Sequence, residues 1–193
     1  MSSEISTKKI QFIDLEMLCW PDGIVPPGQS NDIIQLGLVE INVDTLDIAR
    51  EKRYYIRPPN KNFEVSEYCE TLTGISREQL IKQGRSFNDV MRSIVKEYAP
   101  SRKITYAWGA DHFPINEHCK RYQCANPWDQ IGIWDFGAIF QTSFCLKNKM
   151  TLAKALEHMG LEFLDRPHDA LNDARNLARL HCATVKQLRS TCT

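Results

Sequence analysis

One stretch constrains this chain more than any other. Ile10-Gln11-Phe12-Ile13-Asp14-Leu15-Glu16-Met17-Leu18 is an apolar run near the N-terminus, broken by two carboxylates one residue apart. Successive side chains of a strand alternate between faces, so Asp14 and Glu16 share a face at a separation of roughly 6–7 Å. Ile13, Leu15 and Met17 occupy the other. Two ionised carboxylates on an apolar strand repel each other and lose hydration, which is costly unless a positive charge lies between them. A divalent cation answers that demand, and so does a solvated acidic face on an edge strand. The choice depends on whether the rest of the chain brings further ligands to the same place.

A chain of 193 residues is expected to form one domain, 1–193, with its core at about 8–189 and enough length for substantial burial. Basic and acidic residues balance at 24 each, so no global field draws the chain to nucleic acid. Local basic patches stay compatible with that balance. The seven cysteines, at 19, 69, 119, 124, 145, 182 and 192, show no paired C-x-x-C spacing. Cys119 and Cys124 beside His118 make half of a zinc pattern, with the second pair missing. An odd number of scattered cysteines without a signal peptide reads as reduced thiols. No apolar run approaches membrane-spanning length. The expectation is a soluble cytoplasmic domain with no membrane partner.

Ile33-Ile34-Gln35-Leu36-Gly37-Leu38-Val39-Glu40-Ile41 reads as a second, well-buried strand, and Ala49 to Arg57 as a third ending at Pro58-Pro59. Short connections favour antiparallel pairing of these three. Ser76 with Gln79 three residues later fits a capping box. Ser86 opens an amphipathic helix with Phe87, Val90, Met91, Ile94, Val95 and Tyr98 at helical spacing. Lys103–Trp108 and Ile131–Asp135 read as strands, each followed by a helix, from about Pro114 to Tyr122 and from about Gly137 to Cys145. Thr151 caps a helix closed by Gly160. A last helix, about Asp169 to Leu188, carries Leu171, Ala174, Ala178, Cys182, Val185 and Leu188 on one stripe. The alternation in the second half argues for parallel strands with helices on the faces. The sum is an α/β domain with a mixed five-stranded sheet.

Asp111 stands where the fourth strand ends and a helix begins, the position at which open α/β sheets collect ligands, and Gly109 lets the backbone come close there. A turn or capping role would also explain it. In Arg166-Pro167-His168-Asp169-Ala170-Leu171-Asn172-Asp173, Asp173 lies one turn from both Ala170 and Leu177, so it faces the packed side of its helix and needs a partner. His168 precedes it by five residues and is free to swing towards it. Asp169 is the simplest N-cap.

Asp-x-Glu on the first strand, an Asp after the fourth, and His-x-x-x-x-Asp opening the last helix resemble the DEDDh 3′–5′ exonucleases, a family of ribonuclease-H-like fold. The resemblance extends to Asp32-Ile33-Ile34-Gln35-Leu36-Gly37 and Leu72-Thr73-Gly74-Ile75-Ser76. His168-Asp169-Ala170-Leu171-Asn172-Asp173-Ala174-Arg175-Asn176-Leu177-Ala178 is similar to the branch that trims histone mRNA and small interfering RNA ends. A tyrosine-type relative would carry Tyr where this chain has Asp169. Gly109 and Asp111 are one residue closer than that branch leads one to expect, and Asn172 stands where it often has an acid.

The resemblance implies that Asp14, Glu16, Asp111 and Asp173 hold two Mg²⁺ or Mn²⁺ ions and that His168 is the general base. It further implies that Leu15 and Met17 meet the terminal nucleotide of a single-stranded RNA or DNA 3′ end, with Gly74 near its sugar. Nucleoside 5′-monophosphates would be the product. Arg166, Lys147, Lys149 and Lys154 are candidate phosphate contacts, and a protein partner could supply substrate choice. The competing expectations are a DNA exonuclease or oligoribonuclease-like enzyme, a catalytically silent binding or scaffold member, and a zinc protein built on Cys119 and Cys124.

Overall fold

The computed structural model describes residues 8–191; Cys192 lies outside them. The acidic stretch becomes β1 (Lys9–Met17) at the centre of a five-stranded sheet. It pairs antiparallel with β2 (Ile33–Asn42), which pairs antiparallel with β3 (Ile48–Tyr55). On its other side lies β4 (Thr105–Ala107), parallel to it, and then β5 (Ile133–Asp135), parallel to β4. The order is β3-β2-β1-β4-β5, the mixed α/β sheet expected from the pattern.

Alternation along β1 sorts its side chains onto two cores. Ile13 packs with Leu36, Leu38 and residues of α3 (Phe87–Tyr98) and α4 (His112–Arg121), and Leu15 and Met17 lie partly buried against the same cluster. Phe12 faces the other way with Val39 and Ile41. There it meets α5 (Phe136–Ser143), α6 (Leu152–His158) and α7 (Ala170–Thr191). A third cluster joins Leu18, Trp20 and Ile34 to Cys69, Ile75 and Leu80 from α1 (Glu67–Thr73), α2 (Arg77–Gln83) and the segment between them.

The expected caps are present: Ser76 accepts from the Gln79 amide at 3.1 Å, and Thr151 from the Lys154 amide at 3.3 Å. Helix α1 was not expected, since seven residues carry little periodicity. Its ends are nonetheless marked, by Ser66 accepting from the Cys69 amide and by Gly74 at φ 74°. Strands four and five are shorter than the pattern suggested. Lys103 leaves the ladder to reach Glu40, and Gly132, at φ 84°, turns the chain just before β5. Two apolar assignments need correction. Val95 is half exposed on the outer side of α3, and Leu188 is 53% exposed. By the end of α7 the helix has reached the β2–β3 turn, where Arg189 donates to the Val43 carbonyl at 3.1 Å. No described helix is long and apolar enough to cross a membrane.

The half-zinc pattern dissolves in three dimensions. His118 is 2% exposed, its Nδ1 lies 2.7 Å from the Pro114 carbonyl, and its Nε2 accepts from the Ile33 amide at 3.1 Å. Both ring nitrogens are engaged, and Cys119 is buried in the core.

Glu40 is fully buried in the sheet, with Lys103 Nζ at 2.7 Å, Arg50 Nε at 2.9 Å and Gln11 Nε2 at 2.9 Å. Burial alone would raise its carboxyl, but the bonds from Arg50, Lys103 and Gln11 prevail and bring it down to about 2. The stability this provides is present above an ordinary carboxylate pKa near 4 and is lost as the pH falls through 2. Glu40→Ala is expected to cost about 3–5 kcal/mol, because it strands a buried ammonium. Urea unfolding at neutral pH checks this, and a cost below about 1 kcal/mol would refute the buried-pair account.

Candidate metal centre

Asp14 and Glu16 point from β1 towards α7. Across the sheet, Asp14 stands opposite Gly37, and Gly37 opposite Arg53; in the next row of that face Glu16 stands opposite Gln35. Gly37 matters because the start of α7 lies directly over it. A Cβ there would come within 2.1 Å of the Ala170 carbonyl oxygen. A missing side chain thus lets α7 settle beside Asp14 and bring Asp173 in. Asp173 is 9% exposed, on the packed side of its helix as its spacing implies, and its Oδ2 accepts from the His168 amide at 2.9 Å. His168 adopts φ 59°, turning the chain just before the helix. Ligand atoms of Glu16, His168 and Asp173 lie within 4.8 Å of one another.

Asp111 enters from β4. Gly109 sits at φ 100° with nothing within 4 Å of a would-be Cβ, so it serves the turn and not the close approach expected of it. The turn is tied down by the Gly109 amide donating to Asp135 Oδ1 at 2.9 Å. Asp111 occupies the cap position of α4 yet makes no capping bond, and its Oδ2 is buried with no partner. That orphaned atom argues against a structural cap. A buried carboxylate oxygen without a donor is costly unless something positive arrives.

Electrostatics agree. Burial, then the charges of Asp111, Asp173 and Glu16, push the Asp14 carboxyl well above its ordinary range. Burial and Asp173 raise Glu16 to about 8. Burial, Asp135 and Asp173 raise Asp111 to about 7; burial raises Asp173 to about 7 against the opposing His168 amide. Burial and mutual repulsion favour the protonated forms of these carboxyls, and a bound divalent ion would reverse the balance. The donors are hard oxygens with one imidazole nearby, a set suited to Mg²⁺ or Mn²⁺.

Leu15 and Met17 turn their side chains to the opposite face. Gly74 ends α1 in the left-handed region, with Arg166 Nη1 2.3 Å from where a Cβ would be. Arg166 itself donates to the Thr71 and Leu72 carbonyls, so this candidate phosphate contact already clamps the α1 end. A cavity of about 660 Å³ lies elsewhere. Its walls include Ile33, Ile56, Phe87 and His118, on the α3 side of the sheet. Three participants around the centre were not read from sequence. Gln35 was detectable as a polar residue inside an apolar strand; Arg53 and Asp135 carry no local signal.

A ribonuclease-H-like sheet with carboxylates from β1, the end of β4 and the last helix, and a histidine beside them, defines a nuclease of the DEDDh class. The chain belongs to the exonuclease family (RNase_T), whose pattern matches residues 12–181, a family dependent on divalent metal. It is 27% identical to human 3′-5′ exoribonuclease 1, over 95% of this chain and 53% of that protein. Human ERI1 exoribonuclease 2 is 28% identical, over 93% of this chain and 28% of its own length. The chain therefore spans about half or less of these two curated relatives. Among solved structures, the nuclease domain of 3′hExo, a DEDDh family member bound to rAMP, superposes with a TM-score of 0.83 at 24% identity. That match covers 95% of this chain and 94% of the other.

Proposed function

We propose that this chain is a metal-dependent 3′–5′ exonuclease acting on single-stranded RNA and releasing nucleoside 5′-monophosphates. One observation carries the reading: Asp14, Glu16, Asp111 and Asp173 crowd at one end of the sheet with His168 beside them, and one of their buried oxygens lacks any donor. The preference for RNA over DNA is supported by the exoribonuclease relatives.

Asp14, Glu16, Asp111 and Asp173 would hold two Mg²⁺ or Mn²⁺ ions, which, when bound, stabilise charge on the attacking and leaving oxygens of an in-line displacement. His168 takes the proton from the attacking water. Its backbone bond to Asp173 keeps the imidazole beside the carboxylates. The chain around Leu15 and Met17 passes beneath the terminal nucleotide, with Gly74 near the sugar. A 3′ end must be unpaired to enter, and a partner or further sequence in a longer protein could select which RNA is presented.

The test is incubation of 3′-labelled single-stranded RNA and DNA with Mg²⁺ or Mn²⁺, with EDTA as control. Intact oligomers under every condition would sink the enzyme reading in favour of a silent binding member. Faster loss of DNA would move the substrate class. His168→Ala should lower turnover about 10²–10⁴-fold, the range for general-base loss, while direct Mn²⁺ binding stays within a few-fold of wild type. Normal turnover in that variant would remove His168 from the mechanism.

A further inference from the structure

The start of α7 carries Asp173 and follows directly on His168, yet neither is held by core packing alone. Asp169, between them, accepts from Arg53 Nη2 at 2.6 Å through Oδ1. The same oxygen accepts from the Asn172 amide at 3.1 Å, capping the helix. Gln35 is fully buried; its Oε1 accepts from the Ala170 amide at 2.6 Å, and its Nε2 reaches Asp169 Oδ2 at 3.5 Å. Register explains the convergence. Arg53 lies in the Asp14–Gly37 row and Gln35 faces Glu16 in the next, so both project from the same side of the sheet as the carboxylates. The gap at Gly37 admits the Ala170 backbone between them.

We propose that Arg53 and Gln35 are positioning residues that set the reactive geometry from a distance. By gripping Asp169 and the Ala170 amide, they fix the left-handed turn at His168 and the first turn of α7. The imidazole and the Asp173 carboxylate are thereby aimed at Glu16. The ionic half of this latch uses a single N–H of the guanidinium, since Arg53 Nε is buried without a partner. One donor with one positive charge is therefore what the site requires, and lysine can supply both. A second arginine pair ties α7 to β3: Arg175 grips Glu51 through both Nε, at 2.7 Å, and Nη2, and its Nη1 reaches Asn172 Oδ1 at 3.3 Å, so it docks the same helix through Glu51 and not through Asp169. It serves as an internal control for helix docking in general.

This inference rests on the exonuclease reading for its turnover arm but not for its binding arm. Arg53→Met, Arg53→Lys, Gln35→Leu and Arg175→Met would be compared in the full chain. The readouts are Mn²⁺ binding by electron paramagnetic resonance, hydrolysis of labelled RNA, and thermal midpoint. Arg53→Met and Gln35→Leu should weaken Mn²⁺ binding several-fold and cut kcat about tenfold, a loss typical of misplaced catalytic groups. Arg53→Lys should recover most of both, and Arg175→Met should leave both within twofold. Equal losses in Arg53→Met and Arg175→Met would overturn the proposal, reducing the latch to ordinary helix docking. So would wild-type binding and turnover in Arg53→Met, or failure of lysine to rescue a variant whose midpoint is unchanged. If the wild-type chain hydrolyses nothing, the enzyme reading fails, and the Mn²⁺ series still decides the latch.

Discussion

Replacing Asp14 by asparagine is expected to abolish hydrolysis and, in the same protein, to raise the stability of the metal-free state. The two effects share one cause. Asp14 is buried among Asp111, Asp173 and Glu16, and every one of those charges opposes its ionisation. With metal present, that concentration of charge is what binds the ions. Losing one central ligand should cost at least about a thousandfold in rate, or about 4 kcal/mol. Without metal, the same charge is a burden on the fold. Asparagine keeps the shape and removes the burden, which should add about 1–2 kcal/mol, the usual gain when a functional residue is traded for stability. For a chain of this size that is a rise of about 2–8 °C in midpoint. Turnover on labelled RNA and a thermal melt in EDTA at pH 8 measure the pair of effects. Wild-type turnover would remove Asp14 from the ligand set; an unchanged or lowered midpoint would refute the account of repulsion.

Metal should stabilise the native chain strongly, and more so at higher pH. Glu16, Asp111 and Asp173 hold protons to about 8, 7 and 7, whereas unfolded carboxylates titrate near 4. Between those limits the folded state binds more protons than the unfolded one. The contribution of these groups is therefore fully present below about pH 4 and is lost as the pH rises through 7 to 8. In EDTA the midpoint should fall from pH 6 to pH 9. Mg²⁺ or Mn²⁺ at about a hundredfold over its dissociation constant adds about 2.7 kcal/mol, or about 5–10 °C. Binding displaces the protons, so the shift should grow from pH 6 to pH 8. Differential scanning with and without metal across that range is decisive. A shift that is flat with pH, or retained in full by Asp14→Asn, would show that the ions bind somewhere else. Acid acts through other groups. Burial would raise Asp32, but hydrogen bonds from Ser30 and Tyr122 prevail and hold it down to about 2, while burial holds His181 down to about 4. Both lose stability as the pH falls, so the metal-free protein should be squeezed from the two sides.

How much of this could be read before folding depends on the range over which each signal acts. The alternation in Ile10–Leu18 placed Asp14 and Glu16 on one face, because the period of a strand is fixed by its backbone. The spacing of Ala170, Asp173 and Leu177 placed the last carboxylate on the packed side of its helix for the same reason. Ser76 and Thr151 announced their helices through local capping chemistry. Helix α1 went unread because seven residues give a period too few repeats. Periodicity puts Val95 and Leu188 on apolar stripes, yet both are half exposed, because a period says where a side chain points and not how much of it the assembled fold buries.

The site divides along the same line. The chain alone determined which residue types arrive, in what order, on which kinds of element, and that Asp14 and Glu16 share one face of β1. It could not determine the company each residue keeps, which depends on strand register and on contacts between residues more than a hundred positions apart. That Asp111 ends with a partnerless oxygen, that Gly37 opens a seat for Ala170, and that Arg53 and Gln35 close on the turn beside His168 all follow from how four strands align and how one helix lies across them. Local periodicity fixes direction along a segment. Only the assembled sheet brings segments into rows, and it is the rows that gather these carboxylates into one buried cluster.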